Sequence, residues 1–232
     1  MNEIFVYFSD ISEVNTDCLR ETYLPIASNH VKEKVARLKS DNAIRETLSA
    51  YLLLHKACEE LGLNECDSDI ATDAYGKPYF AKRTDKYFNI SHSHERVMCA
   101  IGDVPVGCDV QKIEDKSERA LKIAKRFFTK EEFEKLMSIE EKEERNAFFF
   151  LMWTLKESYI KCVGGGLGIP LDSFSVLKGQ EPVGYSLHSF VHSDGYKYSC
   201  TAKKCASEIS FVSKWPKDEQ FLCANLPINN GK

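Results

Sequence analysis

An α+β fold is predicted, made of two similar α/β halves that meet near residue 105. Short runs rich in Val, Ile, Phe and Tyr alternate with long helical patterns in the order strand, helices, strands, helices, strands. The 232 residues suffice to bury a sizeable core, and 43% hydrophobic with 28% charged residues is an ordinary globular balance. No low-complexity segment or linker divides the chain. No sequence repeat relates the halves, so their likeness is an expectation about architecture alone.

The opening "MNEIFVYFSDI" alternates as a first strand, and it lacks the basic segment and long apolar run of a signal peptide. "HVKEKVARLKSDNAIRETLSAYLLLHKACEELGL" reads as helix in two pieces broken near Ser40 and Asp41. Ala43, Leu48, Leu52 and Ala57 approximate its apolar face, and Gly62 is a C-terminal stop. "DAYGKPYF" is a turn. "KYFNIS", "RVMCAIG" and "PVGCDVQKI" read as three strands.

The stretch from residue 115 to 163 is again helical, with Thr129 and Glu132 spaced as a capping box. Phe148, Met152, Leu155 and Tyr159 recur at helical spacing, which predicts a last helix over about residues 146–163. Strand-like runs return in "FSVLKG", "GYSLHSFV", "GYKYSCTAKK" and "EISFVSKW".

A net charge of −4 gives no global reason to expect a nucleic-acid partner. The apolar runs fall short of the ~18 residues of a membrane span. Nine scattered cysteines, with no CxxC pair or zinc spacing, read as reduced thiols of a cytoplasmic protein.

The chemistry-bearing stretch is "WTLKESYIKCVGGGLG". A phosphate loop puts its glycines before the lysine, so that backbone N–H groups at a helix N-terminus meet the anion. Here the glycines follow, at a helix C-terminus, which disfavours anions. Residues 164–166 are therefore a helix cap. Glu157 and Lys161, four residues apart, are by periodicity alone an exposed ion pair.

Three further stretches carry polar groups at telling positions. In "VGCDVQKIED", Asp109 and Gln111 share one face of a strand. With Glu157 from a facing helix they make an oxygen set for a hard cation such as Mg2+; the alternative is a strand end facing water. In "FNISHSHERV", Ser91 and His92 can donate to a phosphate, while His94 reads as a turn residue. A two-histidine metal site lacks partners at zinc spacing. In "YGKPY", Lys77 is either a point-charge phosphate contact or a surface lysine.

Taken together, "GKPYF", "FNISHS", "GCDVQKIE", "KRFFTKEE" and "WTLKESYIKCVGGGLGIPLDSFSV" resemble the 4'-phosphopantetheinyl transferases of the surfactin-synthetase-activating type, over about residues 34–176. The paired signature is Gly-x-Asp, here "GCD" at 107–109, followed by Trp-x-x-Lys-Glu-x-x-x-Lys, here "WTLKESYIK" at 153–161. The resemblance implies Mg2+-dependent transfer of the phosphopantetheine arm of coenzyme A to a serine of an apo acyl or peptidyl carrier protein. It also implies a monomer of two α/β halves in pseudo-twofold arrangement, residues 1–105 and 106–232, with coenzyme A between them.

By the resemblance, Asp109 and Glu157 are metal ligands, and Ser91, His92, Lys77 and Lys161 contact phosphates. Lys156, the motif's other lysine, is a further coenzyme contact, Arg45 in "DNAIRE" clamps the 3'-phosphate, and Lys34 is a nearby basic contact. Gln111 stands where the family usually has Glu, which implies weaker metal binding. Glu157 is the candidate base for the acceptor serine; Glu132 is a second candidate or a capping residue only. Two rivals remain: a coenzyme A or carrier-protein binding module without turnover, favoured by Gln111, and a nucleotide kinase, disfavoured by the absent phosphate-loop order.

Overall fold

The computed structural model describes residues 2–63, 69–115, 117–205 and 208–214. Cys66, Cys223 and Trp215 lie outside them. The seven cysteines among the described residues are free thiols.

The fold is α+β. Strand β1 (Asn2–Asp10) leads into helices α1 (Thr16–Thr22), α2 (Asn29–Ala36) and α3 (Asp41–Glu60). Strands β2 (Ile70–Thr72), β3 (Pro78–Phe80), β4 (Tyr87–Ser93), β5 (Arg96–Gly102) and β6 (Val106–Lys112) follow. Helices α4 (Ser117–Phe127), α5 (Lys130–Met137) and α6 (Lys142–Val163) precede strands β7 (Tyr185–Phe190), β8 (Tyr196–Lys203) and β9 (Ile209–Lys214). The break between α2 and α3 falls where Ser40 and Asp41 predict it, and Gly62 takes φ +65° just past α3.

The strands form a four-stranded sheet in the order β4-β5-β1-β9, a three-stranded sheet in the order β6-β8-β7, and the hairpin β2-β3. Neighbours run antiparallel except β9, which returns to pair parallel with β1. β1 alternates between two cores: Tyr7 packs with Leu48, Tyr51 and Leu52 of α3, while Ile4, Val6 and Phe8 meet Val106, Cys108, Val110, Tyr198 and Cys200 of the other sheet. A third core joins Ala124, Phe128 and Leu136 to Phe149, Phe150, Met152 and Leu155 of α6. The layers run helix, sheet, sheet, helix.

Three expectations need correcting. The last helix begins at Lys142, not near residue 146, and α1 carried no apolar period that announces it. "DAYGKPYF" is the tip and second strand of the β2-β3 hairpin. "FSVLKG" is not a strand: a 3-10 turn over Leu171–Ser173 leads into an irregular segment. Its apolar residues fill core positions, with Val176 buried and Phe174 packed beside it.

The seam between the two sheets explains how β4 and β6 hold their site residues. Alternate side chains of β4 reach the backbone of β6: Cys108 N donates to Asn89 Oδ1 at 2.8 Å, Val110 N to Ser91 Oγ at 3.3 Å and Lys112 N to Ser93 Oγ at 3.2 Å. Side-chain oxygens thus satisfy edge donors that a neighbouring strand would otherwise take.

Candidate active site

Gly107 decides how closely α6 can lie on β6. A Cβ there would stand 2.1 Å from the carbonyl oxygen of Ser158 and 2.3 Å from the nitrogen of Cys162. Both are backbone atoms, so only glycine lets the helix settle against the strand. Two buried hydroxyl pairs fix the helix to β8 alongside: Thr154 Oγ1 and Ser199 Oγ at 2.8 Å, and Ser158 Oγ and Thr201 Oγ1 at 2.8 Å. The helix ends at Gly164, whose φ of 84° closes the cap as the sequence predicts.

This packing brings Lys161 onto β6. Its Nζ donates to Asp109 Oδ1 at 2.5 Å, to the carbonyl of Cys108 at 3.2 Å and to Ser91 Oγ at 3.2 Å. Ser91 donates in turn to Asp109 Oδ1 at 2.9 Å, and Gln111 Nε2 lies 3.3 Å from Asp109 Oδ2. Burial works against the Lys161 charge, but Asp109 outweighs it and the net pKa is raised. Glu157, one turn back, has its pKa raised by burial first and by the Asp109 charge second. No hydrogen bond to its carboxylate forms among the described residues. The pair Glu157 and Lys161 is thus no exposed surface bridge: the lysine turns to Asp109.

These groups open onto a cavity of about 420 Å³, also lined by Lys34, Thr47, Tyr51, His92 and Trp153. Seven expected residues meet there: Lys34, Ser91, His92, Asp109, Gln111, Glu157 and Lys161. Lys34 Nζ sits 5.4 Å over the Tyr51 ring. His92 is held through Nδ1 by Glu46 at 2.9 Å. His94 occupies the β4-β5 turn at φ 53°, apart from the cavity, as a turn residue should.

Three expected residues stand elsewhere. Lys77 lines an adjoining cavity of about 280 Å³ that shares Ile90, Glu157 and Lys161 with the first. Its Nζ is drawn to the carbonyls of Val106 and Cys162 at 3.2 and 3.3 Å, and burial lowers its pKa. Arg45 is not among the residues lining either cavity, and its Nε is buried with no hydrogen-bond partner among the described residues.

Lys156 corrects the expectation of a coenzyme contact. It is fully buried, and its three protons go to Glu132 Oε2 at 2.7 Å and to the carbonyls of Leu171 and Phe174 at 2.8 and 2.7 Å. Glu132 is equally occupied: it accepts from the nitrogens of Thr129 at 2.8 Å and Val176 at 2.7 Å, completing the capping box. Sealed from solvent and away from both cavities, Glu132 serves as the capping residue of α5 and the partner of Lys156.

Sequence reading missed Thr47 and Tyr51 in the cavity wall and gave Trp153 no role beyond opening the motif. Nothing local marks the place where a helix face opens on a cleft.

The donor set suits a hard cation: two carboxylates side by side, a carboxamide next to them, and one carboxylate repelled by the other. Among the described residues no group of three or more His, Cys, Asp or Glu could hold a metal ion, and the described carboxylates lining this cavity are those of Asp109 and Glu157. No helix among them is long and apolar enough to cross a membrane.

Comparison with known proteins fits this geometry. Residues 105–219, which carry β6 and α6, match the model of the 4'-phosphopantetheinyl transferase superfamily. The chain is 38% identical over 157 residues to the 4'-phosphopantetheinyl transferase Sfp of Bacillus subtilis (strain 168), covering 67% of this chain and 68% of that one. It is 36% identical over 219 residues to the 4'-phosphopantetheinyl transferase gsp of Aneurinibacillus migulanus, covering 88% of each. With Asp109, Glu157 and Lys161 gathered by a glycine that only this helix–strand contact explains, and relatives matching along most of its length, the chain belongs to the 4'-phosphopantetheinyl transferase superfamily.

Proposed function

We propose that the cavity walled by α3, β4, β6 and α6 is where this transferase holds coenzyme A and moves its 4'-phosphopantetheine arm to a serine of an apo carrier protein. The observation that carries the assignment of residues is the convergence of Asp109, Glu157 and Lys161 with Ser91, His92 and Lys34 on one cavity. A diphosphate needs cationic and N–H or O–H donors on one side and an acceptor for the serine proton on the other. This cavity supplies both.

In the reaction, the acceptor serine Oγ forms a bond to the β-phosphorus while the bond from that phosphorus to the bridging oxygen breaks. Adenosine 3',5'-bisphosphate leaves with the electron pair. Glu157 takes the serine proton, directly or through a water it orients, and its raised pKa brings it nearer the working pH of a base. Lys161 stands where charge grows on the phosphoryl oxygens. Lys34 and His92 serve the nucleotide end, and Lys77 reaches it from the adjoining cavity.

Asp109 and Glu157 would hold Mg2+, with Gln111 bracing Asp109 through its amide. When bound, Mg2+ supplies positive charge to the diphosphate. The wider reading is a cytoplasmic monomer with halves at residues 1–105 and 106–232, acting on acyl or peptidyl carriers, with neither a nucleic-acid nor a membrane partner. A binding module without turnover has less support, because the relatives are named as transferases and Asp109, Glu157 and Lys161 are all present.

Mass spectrometry of an apo carrier protein incubated with coenzyme A and Mg2+ tests the reading. The carrier gains the phosphopantetheine mass, and Asp109→Ala or Glu157→Gln abolishes the gain. No gain with fatty-acid, polyketide and nonribosomal-peptide carriers alike would sink it.

A further inference from the structure

We propose that Glu46 is a positioning residue that fixes the ring of His92 for the nucleotide end of the substrate. Its kinetic consequence rests on the coenzyme A reading of the cavity; its geometry does not.

Glu46 and Ala50 lie one turn apart on α3, and Thr47, Ala50 and Tyr51 line the cavity. Glu46 therefore stands at the edge of the helix stripe that faces it. His92 comes from β4, and its Nδ1 meets Glu46 Oε2 at 2.9 Å. The carboxylate is the less exposed of the two, 21% against 36% for the imidazole, so the ring is the outer group and the glutamate its support.

A carboxylate at Nδ1 requires a proton there, which settles the tautomer and the rotation of the ring. Nε2 is left with no hydrogen bond among the described residues. With Nδ1 held by Glu46, Nε2 is the ring nitrogen turned toward the ligand. The other charged groups lining the cavity are Lys34, Asp109, Glu157 and Lys161, and Asp109 and Lys161 neutralise each other. Among the described residues Glu46 is thus the carboxylate placed directly against the histidine. No local pattern in "AIRETL" marks it, because its partner lies 46 positions along the chain.

Two measurements test this. In the first, 15N spectra of histidine-labelled protein without ligand show His92 protonated at Nδ1, and Glu46→Ala shifts it toward the Nε2-protonated form. An unchanged His92 signal overturns the proposal. In the second, Glu46→Ala raises KM for coenzyme A about tenfold and changes kcat less than about twofold, as loss of a contact common to ground and transition states does. Glu46→Gln, which keeps an acceptor for Nδ1–H, restores most of the affinity and guards against a folding defect. Glu46→Ala combined with His92→Ala is no worse than His92→Ala alone; additive losses overturn the proposal. If the wild-type protein transfers nothing, the coenzyme A reading has failed, and the 15N spectra still decide the role of Glu46.

Discussion

Lys156 and Lys161 leave opposite sides of the same helix, and each ends on a carboxylate. Lys156 is sealed from solvent with Glu132, and both partners have spent their hydrogen bonds on the loop at Leu171, Phe174 and Val176. Lys161 also has three partners, yet its pair with Asp109 forms the wall of a cavity, beside the Glu157 carboxylate, which accepts no hydrogen bond among the described residues. Each carboxylate accepts three hydrogen bonds, Glu132 from Lys156, Thr129 and Val176 and Asp109 from Lys161, Ser91 and Gln111. The difference lies in what surrounds each pair. The first is closed in by the core and acts as a tether; the second lines a cavity beside Glu157, whose carboxylate has acceptor capacity left, and that makes it a site.

The largest expected effect comes from breaking the tether. Lys156→Met leaves Glu132 charged and dry, and losing one partner of such a pair costs roughly 3–5 kcal/mol. Urea unfolding should show this as a lower midpoint at unchanged slope. Replacing both residues with apolar ones of similar volume should recover much of the loss. A stable, slow Lys156→Met enzyme would mean that this lysine acts in chemistry after all.

Lys161→Ala should do the reverse. Removing one electrostatic group from a transition state costs a factor of about 10²–10³ in kcat. Asp109 keeps its donors in Ser91 and Gln111, so the loss of stability should be smaller than for Lys156→Met. Steady-state transfer kinetics paired with thermal melts separate the two lysines; equal effects of both variants on melting and rate would mean that the two lysines share one role.

How much of this was legible in the sequence follows from the range of each interaction. The period of two put Asp109 and Gln111 on one face, and the period of 3.6 gave α6 and its glycine cap, because both are local rules. The capping box at Thr129 and Glu132 was legible for the same reason. That Glu132 also serves Lys156 was not, since 24 residues separate them. The return of β9 to pair with β1 was equally invisible, as nothing in either strand specifies a partner so distant. "FSVLKG" misled because its apolar residues fill the core from an irregular segment, and the tether that holds that segment is itself long-range. Gly107 belonged to a recognisable motif, but its physical reason needed the helix in place.

Gln111 offers a sharper test of the open side. It lies beside Asp109 and contributes no charge. Gln111→Glu adds a carboxylate to the set, so the Mg2+ concentration for half-maximal rate should fall, by a few-fold on the scale of one exposed-side charge interaction of about 1 kcal/mol. An unchanged requirement would place Gln111 away from any bound metal.

The smallest effect concerns Glu157 and is read as stability against pH in metal-free protein. Burial and the Asp109 charge raise its pKa in the folded state above the ordinary 4.5. Folding therefore favours the protonated form: the contribution is whole below that ordinary value and is lost as pH rises through the raised one. At neutral pH the ionised Glu157 is a net cost, so Glu157→Gln should melt higher than wild type there, with the gain shrinking to nothing below pH about 4. Added Mg2+ should raise the melting temperature of wild type and leave Glu157→Gln nearly unmoved, because the cation favours the ionised pair. A variant less stable than wild type at neutral pH would mean that Glu157 has a stabilising partner in the free protein, and that this side of α6 is closed like the other.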